Sequence, residues 1–211
     1  MYDSKILSFF RRKDKKLNDN RWVFSSMLIG SLLSLLASFM LSVEAFELAS
    51  NPDAVLSCSI NSVLNCATVA KHPSAFLFGF PNSFLGLMAE PVVITVAIAG
   101  LFGMRFPKLF MFIAQIGYTL GFIFAYYLFY VSFFIIQTLC PWCLLVTLTT
   151  TLVFFSITRY NIREGNLYLS DNISKRLQIL IKKDYDRLLL ASIIVVVIAA
   201  ILIKYGDGII S

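Results

Sequence analysis

Long uncharged apolar runs alternate along the chain with short basic segments, and that alternation predicts its elements. No charged residue stands between Arg21 and Glu44, which predicts a first span over residues 22–46. A second runs over about 80–103, interrupted only by Glu90. From Leu109 through Thr158, fifty residues pass without an Asp, Glu, Lys, Arg or His. A straight helix of that length would reach about 75 Å, more than twice the ~30 Å hydrocarbon core of a bilayer. The run must fold back as a hairpin with its break near 132–141, giving a third span over 109–131 and a fourth over 140–158. Residues 188–203 form a short fifth, with Tyr205 placed to anchor its end at the interface.

Composition turns these runs into a fold class. Hydrophobic residues make up 58% of the 211 and charged ones 14%, against roughly 45–50% and about 25% in soluble domains. No soluble core hides that much apolar surface, so disordered, collagen-like and water-soluble classes are excluded. The reading is an all-α integral membrane protein, with a four-helix bundle and a fifth transmembrane helix. Sixteen of the eighteen basic residues fall before span one, between spans two and three, or between spans four and five. Only Lys71 and Lys204 fall elsewhere. Five spans put those sixteen on one side, and the positive-inside rule makes that side cytoplasmic, N-terminus included.

The chain then divides into a cytoplasmic basic segment (1–21), a four-span bundle (22–158) with an outer loop (47–79), a cytoplasmic basic linker (159–187) and a fifth span with a short outer tail (188–211). Residues 1–20 lack the pattern of a cleaved signal peptide, because the charges from Arg11 to Lys16 interrupt the apolar stretch. Residues 166–187 alternate Leu and Ile with Lys and Arg, as a helix lying on the membrane surface does. The +6 net charge is explained by topology and anionic lipid, so no nucleic-acid partner is expected.

All four cysteines fall on the outer side: Cys58 and Cys66 in the loop, Cys140 and Cys143 as Cys-Pro-Trp-Cys opening span four. Proline at the first helical position puts Cys140 at the helix N-terminus, where free N–H groups favour a thiolate. A disulfide within so short a loop constrains little of the fold, which favours exchange over a structural purpose. A zinc site from the two pairs fits poorly, with both pairs at the lipid interface and the first eight positions apart. The chain has no nicotinamide or flavin fingerprint and no haem motif, which leaves a quinone as the electron acceptor resident in the bilayer. The segment Gly79-Phe80-Pro81-Asn82-Ser83-Phe84-Leu85-Gly86 opens span two at the same depth. There Asn82 offers an amide donor between Phe80 and Phe84.

The loop pair, the Gly-Phe-Pro-Asn-Ser-Phe-Leu-Gly segment and the later Cys-Pro-Trp-Cys together resemble the vitamin K epoxide reductase family over roughly residues 22–158. The resemblance implies that Cys140 and Cys143 are the active-site pair, with Cys143 nearest the quinone. It also implies that Cys58 and Cys66 are a shuttle pair, with Cys66 exchanging with Cys140 and Cys58 facing a partner. Asn82 matches the family's quinone-binding asparagine. Two positions depart from the pattern. His72 stands where relatives carry Ser or Thr, with Ser74 two further on, and Thr147 stands where animal members place a quinone-contacting tyrosine. Histidine's ordinary pKa is the nearest to neutrality of any side chain, which makes His72 a candidate in the proton chemistry. Bacterial relatives usually carry a fused thioredoxin-like domain after the fifth span. Its absence here implies a separate periplasmic thioredoxin-like thiol oxidase as electron donor.

The expected activity is quinone-dependent thiol–disulfide oxidation in the inner (plasma) membrane, with the site on the periplasmic side and ubiquinone or menaquinone as acceptor. The alternatives are reduction of a vitamin K quinone or epoxide, and a non-enzymatic tetraspan-like scaffold with two structural disulfides. A transporter is disfavoured because spans one, three and four show no polar line. Glu90, deep in span two, is either a bundle-facing protonated carboxyl or a functional one.

Overall fold

The first span is built as one uninterrupted helix because residues 22–43 offer neither proline nor charge. In the computed structural model, which describes residues 15–210, α1 covers Lys15–Ser50. The expected basic residues Lys5, Arg11, Arg12 and Lys13 lie outside the described residues. At 36 residues α1 is about 54 Å long, well beyond a ~30 Å apolar slab. Its last turns therefore rise past the apolar zone and carry Glu44 and Glu47 to the cysteine loop.

Next come α2 (Cys66–Lys71), a 3-10 turn (Pro73–Phe76), α3 (Ser83–Leu101) and α4 (Lys108–Tyr130), which a π-helical turn (Val131–Ile136) prolongs. Then follow α5 (Pro141–Glu164), α6 (Asp171–Lys182) and α7 (Tyr185–Ile210). Among the described residues five helices are long and apolar enough to cross a membrane: Leu17–Ser50, Ser83–Leu101, Lys108–Ile136, Pro141–Glu164 and Tyr185–Gly206. The fold is an all-α multi-pass membrane protein. The charge-free hairpin breaks where its length requires: after the π turn, Gln137 adopts a left-handed conformation (φ 57°) and reverses the chain.

Helix α1 is the centre of the bundle, packed on α3 and on α5, while α4 and α7 lean on α5. Helices α3 and α4 scarcely touch. Close approach to α1 depends on small residues. A Cβ on Gly86 would lie 2.1 Å from Ser38 Oγ, and one on Gly100 would lie 2.3 Å from the Phe24 ring. Where lipid replaces water outside the bundle, such van der Waals fit takes over from the hydrophobic effect as the packing force.

The bundle does contain polar stripes, which corrects the expectation that none exists. Ser31, Ser34, Ser38 and Ser42 are buried along one face of α1, and Thr147, Thr149, Thr150, Thr151 and Ser156 along α5. Their hydroxyls largely bond back to their own helices: Ser31 to the Met27 carbonyl (2.6 Å), Ser42 to Ser38 (2.7 Å), Thr151 to Thr147 (2.7 Å) and Ser156 to Leu152 (2.8 Å). Such hydroxyls satisfy themselves locally, so the stripes serve as small packing surfaces rather than as a conduit.

Tyr205 also differs from the interfacial anchor expected of it. It is 7% exposed, and its hydroxyl donates to the Phe133 carbonyl at 2.7 Å. That bond fastens the end of α7 to the π turn, and Lys204 donates to the same carbonyl. Within the 166–187 stretch, α6 leaves Ile173, Ile179 and Leu180 exposed.

The basic end is held by one buried arginine. Arg159 of α5, 5% exposed, donates from Nε to Asp19 (2.7 Å), from Nη1 to Asp186 (2.7 Å) and from Nη2 to Asp184 (2.8 Å). It thereby ties α1, α5 and the start of α7 together. Arg163 also pairs with Asp19, and the Arg187 guanidinium lies 4.3 Å from the centre of the Trp22 ring. Removing one partner from a buried ionic cluster costs about 3–5 kcal/mol, because the remaining charges lose compensation. Arg159→Gln is therefore expected to lower the thermal midpoint of the detergent-solubilised protein sharply. The double variant Arg159→Gln with Asp186→Asn should recover part of the loss, and equal midpoints for wild type and Arg159→Gln would refute this role.

Candidate active site

After α1 ends at Ser50, the chain returns over the bundle mouth as a loop closed on itself by polar side chains. Asn61 Oδ1 accepts from the N–H groups of Val63 (3.0 Å) and Leu64 (2.7 Å). Asn65 caps α2 by accepting from Thr68 N–H at 3.1 Å. Between these turns the backbone pairs with the chain entering α5: Leu139 N–H donates to Val63 (2.8 Å), and Asn65 N–H donates to Leu139 (3.0 Å). Leu64 and Leu139 thus form an isolated parallel β-bridge. It sets Cys66, first residue of α2, beside Cys140, the N-cap of α5.

Cys58 and Cys66 are joined in a disulfide with Cα atoms 5.6 Å apart. Cys140 and Cys143 are free thiols. The Cys66 and Cys140 sulfurs stand 3.2 Å apart, and Cys140 Sγ accepts from the backbone N–H of Cys143 at 3.3 Å. Three sulfurs therefore lie in sequence, two bonded and the third in contact, with a helix N-terminus beneath the third. Cys58, Cys66 and Cys140 are buried together with Leu56. Cys58, read as the residue facing a partner, is only 6% exposed, although Val55 and Ile60 on either side of it are 85% and 69% exposed.

Behind the cysteines a cavity of about 1010 Å³ occupies the seam that α3 and α4 leave between them. Cys143, Thr147, Asn82, Ser74, Glu90 and Tyr118 all line it. Thr147 sits one turn below Cys143, its hydroxyl bonded to the Cys143 carbonyl at 2.9 Å. Glu90 is 4% exposed and accepts from Tyr118 Oη at 3.3 Å, so it faces the bundle.

Several candidate residues sit differently from their sequence reading. Asn82, expected to offer an amide donor, uses Nδ2 on the Ser74 carbonyl at 2.6 Å. Its Oδ1 is buried without a partner, so the open valence is an acceptor, suited to a ligand hydroxyl. Phe84 is two residues beyond Asn82, about 200° around the helix, and so points away. It packs on Phe46 (5.9 Å) and Phe80 (6.2 Å), and neither Phe80 nor Phe84 lines the cavity, where Phe76, Phe78 and Phe124 stand instead. His72 also lies off the lining. Its Nδ1 accepts from Ser74 N–H (3.2 Å) and meets Ser74 Oγ (2.9 Å), capping the 3-10 turn. Ser74, two residues on, is the hydroxyl-bearing residue at the wall.

One residue of the site was passed over in the sequence except as the end of span one. Glu44, 4% exposed, places both carboxylate oxygens 3.1 Å from Cys58 Sγ and accepts from Ser57 Oγ at 3.0 Å. A lone charge at the outer edge of a span, one loop before a cysteine, was the available signal. Glu44, Cys58 and Cys66 bring metal-ligand atom types within 4.8 Å of one another, but the bonded sulfurs hold no thiolate to offer.

A bundle of membrane helices with a disulfide, an adjacent Cys-x-x-Cys and a cavity behind them defines a membrane-embedded redox protein. The family model for the Vitamin K epoxide reductase family matches residues 25–158, from α1 through most of α5, and the chain belongs to that family. Its members are membrane oxidoreductases associated with quinones. No curated protein matches the chain.

Two effects compete for the reactivity of the free thiols. The Cys143 N–H points at the Cys140 sulfur, whereas access favours Cys143: both border the cavity, but Cys140 is 1% exposed and Cys143 is half-buried. A thiol without a path to reagent does not react however nucleophilic it is. N-ethylmaleimide is therefore expected to modify Cys143 at least about tenfold faster than Cys140 by peptide mass spectrometry. Faster labelling of Cys140 would show that the loop does not seal it.

Proposed function

We propose that this protein is a quinone-dependent, disulfide-generating oxidoreductase of the inner (plasma) membrane. It takes electrons from a separate thioredoxin-like thiol oxidase on the periplasmic side. The observation that carries this reading is the 3.2 Å contact between Cys66 of a closed disulfide and Cys140 of a free Cys-x-x-Cys. Two independent structural bridges have no reason to touch, and a scaffold with two structural disulfides requires a second bond where Cys140 and Cys143 are free. The distribution is the one expected after a shuttle pair has passed two electrons inward.

Each residue then has a chemical task. A partner thiolate opens the Cys58–Cys66 disulfide through a mixed disulfide with Cys58, and the partner's second thiol closes on the first to release Cys58. The freed Cys66 then attacks Cys140 of the Cys140–Cys143 disulfide, and Cys143 leaves as the thiolate. Cys140, at the helix start, receives the negative charge released in exchange. Cys143, at the cavity wall, is the thiol that meets the acceptor. Asn82 Oδ1, held in place by the Asn82–Ser74 bond, is free to accept from a ring hydroxyl, and the apolar remainder of the cavity excludes water. A quinone, when bound, supplies a two-electron, two-proton acceptor. The exposed Val55 and Ile60 give a partner an apolar hold on either side of the shuttle disulfide. The arginine cluster at the opposite end supports placing the cysteines outside, by the positive-inside rule.

The test is oxidation of a reduced thioredoxin-like protein by the purified enzyme with a short-chain ubiquinone or menaquinone. Cys143→Ala is expected to abolish quinone-linked turnover, because without Cys143 the Cys-x-x-Cys cannot close its own disulfide as it gives up two electrons. Cys66→Ala is expected to abolish turnover with the protein donor while leaving Cys143 reactive toward maleimide. Near-normal turnover in either variant would defeat the proposed electron path.

A further inference from the structure

We infer that Glu44 is a catalytic base for the shuttle pair, taking the proton from Cys58 when that thiol re-forms the loop disulfide. The inference rests on the proposed electron path and adds to it a proton path through a residue outside the cysteine motifs.

The geometry is specific. Both oxygens of Glu44 lie 3.1 Å from Cys58 Sγ, within the roughly 2.6–3.2 Å reach that a general base requires. The carboxyl is 4% exposed, and Ser57 Oγ, at 3.0 Å, fixes its orientation. Cys58 itself is buried with Leu56, Cys66 and Cys140, so bulk water is poorly placed to take its proton. A buried carboxylate beside a disulfide sulfur has no attractive partner there, since a disulfide has no hydrogen to donate. The contact makes chemical sense for the reduced state, in which Cys58 is a thiol and donates to Glu44.

The exchange balances as follows. With the shuttle reduced, the Cys66 thiolate attacks Cys140 of the Cys140–Cys143 disulfide. The Cys66–Cys140 bond forms, the Cys140–Cys143 bond breaks, and Cys143 departs with the electron pair. Cys58 must then displace Cys140 from Cys66, and it can do so only as a thiolate. Its proton passes to a Glu44 oxygen as the Cys58–Cys66 bond forms. The Cys66–Cys140 bond breaks, and Cys140 leaves with the electron pair, its charge met by the Cys143 N–H. The products are a protonated Glu44, a closed loop disulfide and a reduced Cys-x-x-Cys, which is the distribution of bonds in the structure. Cys66 lies between its two partners, bonded to one and 3.2 Å from the other. The base stands on the Cys58 side and the helix start on the Cys140 side.

The experiment begins with the fully reduced protein in detergent, mixed with excess short-chain ubiquinone. Four thiols hold two pairs of electrons. The first quinone equivalent draws on Cys140 and Cys143, and the second requires the internal exchange. In Glu44→Gln, which keeps the shape and the acceptor for Ser57 but cannot serve as base, the first phase is expected at the wild-type rate. The second is expected to slow about 100-fold, within the usual range for loss of general base catalysis. The Cys66–Cys140 mixed disulfide should accumulate, seen by peptide mass spectrometry after acid quench and alkylation. Glu44→Asp, which retains a carboxylate, should slow the second phase less than Gln does, and it carries the test if Glu44→Gln fails to fold. Two phases at wild-type rates in Glu44→Gln would overturn the inference and leave the electron path standing. Equal slowing of both phases would overturn it too, because Glu44 would then only hold the site's shape. If wild type reduces no quinone, the electron path itself falls, and the inference with it.

Discussion

Two backbone hydrogen bonds, from Leu139 to Val63 and from Asn65 to Leu139, fix everything that happens at the mouth of this bundle. Neither the loop nor the π-turned end of α4 has a regular partner of its own at that level. Each satisfies the other's backbone groups where water is scarce, so the bridge answers a need that any buried segment has. A bond of this kind contributes only about 1 kcal/mol net. Its importance is positional. It sets the first residue of α2 against the cap of α5, and the cysteines at those two places come into sulfur contact as a result.

The two ends of the bundle meet the same constraint by opposite means. At the basic end, charges buried between α1, α5 and α7 compensate one another, with Arg159 shared among Asp19, Asp184 and Asp186. Among the described residues no cysteine lies at that end. At the cysteine end, Asn82 Oδ1 at the cavity wall and Trp142 Nε1 are buried without a partner, and the Glu44 carboxyl lies against a disulfide with Ser57 as its donor. The weak contact between α3 and α4 belongs to the same pattern, since closing that seam would fill the cavity behind Cys143.

The sequence showed the spans because charge is costly in hydrocarbon, and fifty residues without charge admit no reading except a hairpin. It showed the cysteines as two pairs at one depth because the span count placed them there. It did not show which side of a helix a residue occupies near an irregular turn. Phe84 looked like a neighbour of Asn82, yet α3 begins at Ser83 and the helical rotation sends Phe84 outward. Tyr205 looked like an interfacial anchor, but the π turn presents the Phe133 carbonyl to it. The stripes of Ser and Thr went unseen as packing surfaces, because no period read from one helix says what its neighbour requires. Glu44 lies fourteen residues from Cys58, and only the returning loop, shaped by Asn61 and Asn65, brings them together.

Electrostatics at the cysteine end are asymmetric, and the asymmetry has a direction. A thiolate on Cys140 faces a backbone N–H and the positive end of α5, an arrangement worth roughly 0.3–1 kcal/mol when exposed and up to about 2 kcal/mol when partly buried. At Cys58 the Glu44 carboxyl stands at contact distance instead, and a thiolate forms there only as Glu44 takes the proton. Negative charge on sulfur is therefore better met at Cys140 than at Cys58. Stabilising the wrong thiolate would hold electrons at the loop. Glu44 serves the exchange by taking the proton of Cys58, and the helix start serves it by meeting the charge on the departing Cys140. Proton removal at one pair and charge stabilisation at the other are what transfer of the bond between them requires.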